Sequence, residues 1–270
     1  MEILGYVAAL FMGLSLGLIG GGGSILTVPI LVYLFSVDPI LATSTSLFIV
    51  GSTALLGAYL SWRRNDVHLK MAFQFALPSV LGVFLFKTYL VPSIPSIIFS
   101  FHRFQLTKPL LIMGIFAGLM LAASLSMVRK KSSHSKRTES SDSSPKSTAW
   151  RTLALQGFLV GSVTGLVGAG GGFLIVPALV TIVGLNMRSA IGTSLLIIAM
   201  NSLFGFSVSL YQGISVDWYI LLSILSIALF GLIIGSYLSH RVPEKKLKTG
   251  FGYFVLIMGT LILMDQIRKL

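Results

Sequence analysis

Gly20, Gly21, Gly22 and Gly23 stand consecutively before Ser24 in an otherwise apolar run, and Gly170, Gly171 and Gly172 occupy a matching run later in the chain. Each glycine weakens a helix interior by about 1 kcal/mol relative to alanine, so these stretches are expected to interrupt their helices. An interruption uncovers the N–H groups and the positive dipole end of the half-helix that follows, an arrangement suited to holding an anion. Helix packing is the competing use of glycine, and the spacing of Gly13 with Gly17 and of Gly161 with Gly165 suits it. Packing needs one helix face, whereas four adjacent glycines cover all of them. The expectation is therefore two broken helices that restart near Ser24 and Gly172 and line a cavity, since irregular backbone at membrane depth must be buried in protein or face one. Pro29 and Pro177 fall inside the restarted helices and are expected to kink them or free a carbonyl.

Each glycine stretch is followed by hydroxyls: "ATSTSLF" from Ala42 to Phe48 and "AIGTSLL" from Ala190 to Leu196. Thr45, Ser46, Thr193 and Ser194 offer O–H donors, and Asn201 an amide donor, without fixed negative charge. The same residue types also bond helices to one another in lipid. The eight carboxylates (Glu2, Asp38, Asp66, Glu139, Asp142, Asp217, Glu244, Asp265) and the four histidines (His68, His102, His134, His240) all fall at the ends of apolar runs or between them. Cation transport and carboxylate proton relays call for an ionisable group within a span. Hydrolysis calls for convergent acid–base pairs or metal ligands. Both classes are disfavoured, and no enzyme activity, metal or cofactor is expected. Cysteine is absent, which removes disulfides, thiolate metal sites and cysteine nucleophiles. No Gly-Lys-Ser/Thr follows either glycine stretch, so neither is a nucleotide phosphate loop.

The elements that must position these residues are long apolar runs, at roughly 3–36, 40–61, 69–91, 106–128, 152–185, 189–212, 217–239 and 250–264. In a chain of 270 residues, 54% hydrophobic and 10% charged, they indicate an all-α polytopic membrane protein surrounded by a lipid bilayer. Trp62, Trp150 and Trp218 mark the edges of runs, as interfacial anchors do. No lysine or arginine precedes the first run, which is expected to remain in the mature protein. The net charge of +12 is concentrated, seven of the twenty basic residues lying between Arg129 and Arg151. That distribution fits a positive-inside membrane protein rather than a nucleic-acid partner.

A constant offset of 148 residues aligns Gly13 with Gly161, Gly20 with Gly168, Pro29 with Pro177, Gly57 with Gly205 and Tyr89 with Tyr237. The chain thus divides into a first transmembrane repeat over 1–128, a basic serine-rich cytoplasmic linker over 129–150, and a second repeat over 151–270. Each half is expected to hold a glycine-broken helix or re-entrant hairpin plus three transmembrane helices. If runs one and five are hairpins, the halves are inverted and the basic residues divide 15 against 5; if they are single spans, the halves are parallel and the division is 12 against 8. The hairpin arrangement, with inverted repeats, has the stronger charge bias.

"GLSLGLIGGGGSILTVPIL" (Gly13 to Leu31) with "LATSTSL" (Leu41 to Leu47), and "GSVTGLVGAGGGFLIVPAL" (Gly161 to Leu179) with "SAIGTSLLIIAMNSLFG" (Ser189 to Gly205), resemble the sulfite exporter TauE/SafE family of permeases. The resemblance covers nearly the whole chain apart from the linker, which is longer than expected of a compact member. It implies a multi-pass transporter of the bacterial inner-membrane type that exports a small sulfur-containing anion, with sulfite favoured over an organosulfonate or another small anion. The competing class is a non-transporting membrane scaffold whose glycines only pack helices. Neither reading excludes a homodimer.

Overall fold

The apolar run that opens the chain folds as two helices, and the second doubles back along the first. In this computed structural model, which describes residues 2–95, 97–101, 104–129, 150–167, 170–214, 216–239 and 241–268, α1 (Glu2–Ile19) stops at the glycines and α2 (Gly22–Pro29) continues into a π-helical segment, Ile30–Leu34. Gly20 has φ of +79°, a left-handed conformation that a side chain would strain, and it starts the reversal. The return is visible along the whole hairpin. The Thr27 hydroxyl lies 2.8 Å from Met12 Sδ, and the Phe35 ring meets Tyr6 edge-on with centroids 5.4 Å apart. Pro29 has no N–H to give, and just after it the helix widens: the Phe35 N–H reaches back five residues to the Ile30 carbonyl at 3.3 Å.

The second half follows the same order. Helix α7 (Trp150–Val167) precedes a turn in which Gly170 and Gly171 both have φ of +68°, then α8 (Gly172–Ala178) contains Pro177 and passes into a π-helical segment, Leu179–Val183. Most of the linker expected over 129–150 lies outside the described residues, as do Gly168 and Ala169.

Long helices complete each half. The first has α3 (Pro39–Trp62), α4 (Leu69–Leu85, extended by a π-helical segment Phe86–Leu90) and α6 (Lys108–Arg129); the second has α9 (Met187–Tyr211), α10 (Trp218–Ser239) and α11 (Glu244–Arg268). Asp38 and Asn186 cap α3 and α9, accepting from the Ile40 and Ser189 N–H groups at 2.8 Å each. Among the described residues four helices are long and apolar enough to cross a membrane: Pro39–Trp62, Leu69–Ser93, Met187–Tyr211 and Trp218–Ser239. The all-α expectation gains one short addition. Pro92 and Pro95 stop the continuation of α4 beyond a single turn, α5 (Val91–Ser93), and the β-favouring stretches that follow pair as antiparallel β1 (Ile97–Phe101) and β2 (Phe104–Thr107), with Phe101 opposite Phe104.

The halves interlock by exchanging partners. Helix α1 packs chiefly on α10, and α4 on α7, each pair lying parallel. Small residues make this close approach possible, as lipid supplies no hydrophobic drive between helices. A methyl group on Gly13 would run into the Ala228 carbonyl, one on Gly17 would come within 2.6 Å of the Ser236 nitrogen, and one on Gly161 would strike the Ser79 carbonyl. Between these pairs α3 and α9 cross the centre antiparallel, with Gly51 beside Leu203 and Gly57 beside Leu195. The return arms α2 and α8 meet in the same core, where Ile25, Val28, Ile175 and Val176 are buried with Val50 and Ile198.

Gly161→Ala is expected to destabilise the protein by about 1–3 kcal/mol, because backbone rather than a mobile side chain opposes the new carbon. Gly118→Ala, where nothing lies within 4 Å, is expected to leave stability unchanged or slightly raised. Thermal unfolding of the two variants in detergent measures the contrast.

Candidate functional site

The two glycine turns meet at the centre of the molecule. A methyl group on Gly172 would come within 2.8 Å of Gly21 Cα, so only glycine pairs permit this contact. Both turns rest on α9. A methyl on Gly20 would approach Ser194 Oγ to 3.0 Å, and one on Gly170 would approach Ser202 Oγ to 2.9 Å. No side chain caps α2 or α8, which leaves their first N–H groups to some other acceptor. The Ser24 hydroxyl donates to the Gly21 carbonyl at 2.8 Å, tightening the turn without covering those donors.

The hydroxyl pairs do not converge on a single point. Leu47 packs by Gly205 and Leu195 by Gly57 across the antiparallel α3–α9 pair. That register sets Ser46 and Ser194 about a dozen residues apart along α9, roughly 18 Å at helical rise. Ser194 accompanies the first turn, while Thr45 and Ser46 lie buried toward the other end of the molecule. Ser46 and Ser194 donate to the Thr43 and Ile191 carbonyls at 2.8 Å each, so their protons must turn to serve a ligand. Thr193 Oγ1 accepts the His68 N–H at 3.0 Å, tying α9 to the start of α4. Asn201 Nδ2 donates to Ser79 Oγ at 2.6 Å and ties α9 to the middle of α4.

Ser202 Oγ and Asn201 Oδ1 are buried with no hydrogen-bond partner among the described residues. An unmet buried polar group is unfavourable by about 1–3 kcal/mol, so these atoms mark a place where a ligand or water belongs. Ser202 was not an expected site residue. Its counterpart at the 148-residue offset is Ala54, so a search for repeated polar positions passes over it. The junction is closed to solvent, for Ser24, Thr193, Ser194, Asn201 and Ser202 expose no surface.

The two ends of the bundle differ in charge. At one end a narrow polar cleft is lined by Gly17, Ser61, Arg64, Asp66, Arg188 and Ser236, and an Arg64 guanidinium N–H donates to Ser236 Oγ at 3.0 Å. At the other end Gln212 Nε2 donates to the Lys87 carbonyl at 3.2 Å. Gln212 is the counterpart of Arg64 at the repeat offset, so equivalent positions reach across to equivalent helices with different charge. A separate cavity of about 630 Å³ between α3, α9 and α10 is walled by Leu55, Tyr59, Trp62 and Leu196. Those walls suit apolar chains, not an anion.

The profile of the sulfite exporter TauE/SafE family matches residues 6–262. The chain belongs to this family. A TauE/SafE relative described as a probable membrane transporter protein, from Xylella fastidiosa (strain 9a5c), is 31% identical, covering 93% of this chain and 91% of its own length. The probable membrane transporter proteins YdhB and YunE of Bacillus subtilis (strain 168) are each 26% identical, over 93% and 98% of this chain and 96% and 99% of theirs. No solved structure matches. The TauE/SafE chain described here is thus a membrane transporter, with the paired glycine turns as its most unusual structural feature.

Gly170→Ala forces a side chain into left-handed backbone and against Ser202. A stability loss of about 1–3 kcal/mol is expected, read as a lowered unfolding temperature in detergent.

Proposed function

We propose that this transporter exports a small sulfur oxyanion, sulfite, by alternating access between two inverted repeats, and that the glycine turns line the path. The observation that carries the reading is the junction itself: uncapped half-helix N-termini from both halves meet beside buried polar atoms that lack partners. Such donors hold an anion through partial charge and release it again, where a buried arginine at the same place would bind too firmly. Gly20 to Ser24, Gly170 to Gly172 and Ser194 form the centre of the path, with Asn201 as the amide at its wall. Thr193 flanks it at one end, and Thr45 and Ser46 flank it at the other.

The antiparallel central pair and the hairpin return of α2 support the inverted arrangement, since one half then enters from each side of the bilayer. Opening on either side requires the hairpins to part from α9, and the Asn201–Ser79 and Thr193–His68 bonds hold the closed form. The packing use of glycine also has support, at different positions: Gly13, Gly17 and Gly161 fill the helix seams, whereas Gly20, Gly170 and Gly171 hold left-handed backbone. By charge, the end carrying Arg63, Arg64, Lys70, Arg188 and Arg241 faces the cytoplasm of a cell whose plasma membrane holds the protein.

Purified protein in liposomes is expected to show saturable counterflow of labelled sulfite, with organosulfonates as weaker competitors. Flux of a sulfonate with none of sulfite moves the substrate assignment, and absence of flux for every small anion rejects it. Single cysteines at Val37 and Arg63 test orientation in cells: an impermeant reagent is expected to label the first from outside and the second only after permeabilisation.

A further inference from the structure

Lys87 is the only charged side chain buried among the described residues, at 7% exposed. The sequence alone sets it, like Arg188, near a segment end, where a cation attracts anions at an entrance or, equally well, snorkels to water as a surface anchor. It stands instead in the π-helical extension of α4, which packs on α7 and α9. Its stem is buried, its ammonium is not among the fully enclosed polar atoms, and the hydroxyl of neighbouring Thr88 is buried with no partner among the described residues. A lysine whose stem is buried and whose ammonium stands at the edge of water, with no carboxylate bonded to it among the described residues, presents a positive charge to an arriving anion.

The packing register shows which path. Along the parallel α4–α7 seam Phe75 meets Gly157, Ser79 meets Gly161 and Val83 meets Gly165, four residues at a time on both helices. One further step from Val83 is Lys87, level with the end of α7 at Val167 and the turn beyond it. At the offset of 148 its counterpart is Gly235 on α10, a seam position pressed against the Leu14 carbonyl. The charge therefore belongs to one mouth alone.

We propose that Lys87 supplies the fixed positive charge that binds the transported oxyanion at the mouth beside the second glycine turn. This rests on the reading that the glycine turns line an anion path. The ammonium has no bonded carboxylate among the described residues, and the arriving anion is its counter-ion. The opposite mouth uses Arg64, which is exposed and already donates to Ser236, so the two sides differ in affinity.

The test compares wild type, Lys87→Met and Lys87→Arg, each the full chain in liposomes, by concentration-dependent sulfite counterflow and by unfolding temperature in detergent. Lys87→Met is expected to raise KM about ten-fold or more while unfolding at the same or a higher temperature, because an apolar chain of similar length fills the place of the buried stem. Lys87→Arg is expected to recover most of the loss. An unchanged KM in Lys87→Met overturns the proposal. If Lys87→Met does not fold, Lys87→Gln takes its place under the same criteria. If wild type carries no sulfite, that substrate assignment fails, and Lys87 is judged by thermal shift against sulfite, sulfate, sulfoacetate and phosphate. Stabilisation by one of them that Lys87→Met abolishes supports the anion role, and stabilisation by none, or equally in both proteins, overturns it.

Discussion

A backbone that leaves its helix inside a membrane must find partners for its N–H and C=O groups within the protein. That constraint organises this molecule. Two hairpins turn at glycines in the interior, the first covered by α9 of the other half and the second by α9 and α7 of its own half with Val50 of the other. Helix α1 is seated on α10, α7 on α4, and the turns themselves lie against α9 and one another. The first turn has its cover from the other half, and the two turns also cover each other where Gly21 meets Gly172.

The same constraint separates two uses of glycine that look alike in the sequence. Along the α1–α10 and α4–α7 seams, glycine removes a side chain so that one helix can touch the carbonyls of the next. At Gly20, Gly170 and Gly171 it supplies left-handed backbone. The first use makes seams that hold over several turns, and the second makes a junction of point contacts beside the unpaired Ser202 and Asn201 oxygens. The Thr193–His68 and Asn201–Ser79 bonds tie α9 to α4 instead.

Much of this was legible in the residues. The apolar runs match the helices closely, the glycine breaks fall where α1 and α7 end, and the over-long first run does return on itself. The short β-hairpin after α5 was not, because most of it falls at 92–105, between two of the apolar runs, where no element was expected. The site was legible in parts. Repetition pointed to the glycines and hydroxyls but suggested one converged cluster. The antiparallel crossing of α3 and α9 instead sets Ser46 and Ser194 far apart along the bundle. Repetition also hid Ser202, whose counterpart is Ala54, and gave no weight to Lys87, whose counterpart is Gly235. Asymmetric residues in a symmetric frame are where a transporter distinguishes its two sides, and an offset search discards them.

The central claim is that the two glycine turns form one anion path. Crystals or frozen specimens soaked with selenite, an isostere of sulfite with a strongly scattering centre, locate the ion directly. The account predicts a selenium position within hydrogen-bond reach, about 2.7–3.2 Å from oxygen to nitrogen, of the backbone N–H groups at Gly22–Ser24 or Gly171–Gly172. A selenium site confined to the apolar cavity by Tyr59 and Trp62, or to exposed loop lysines with the junction empty at saturating selenite, would contradict it.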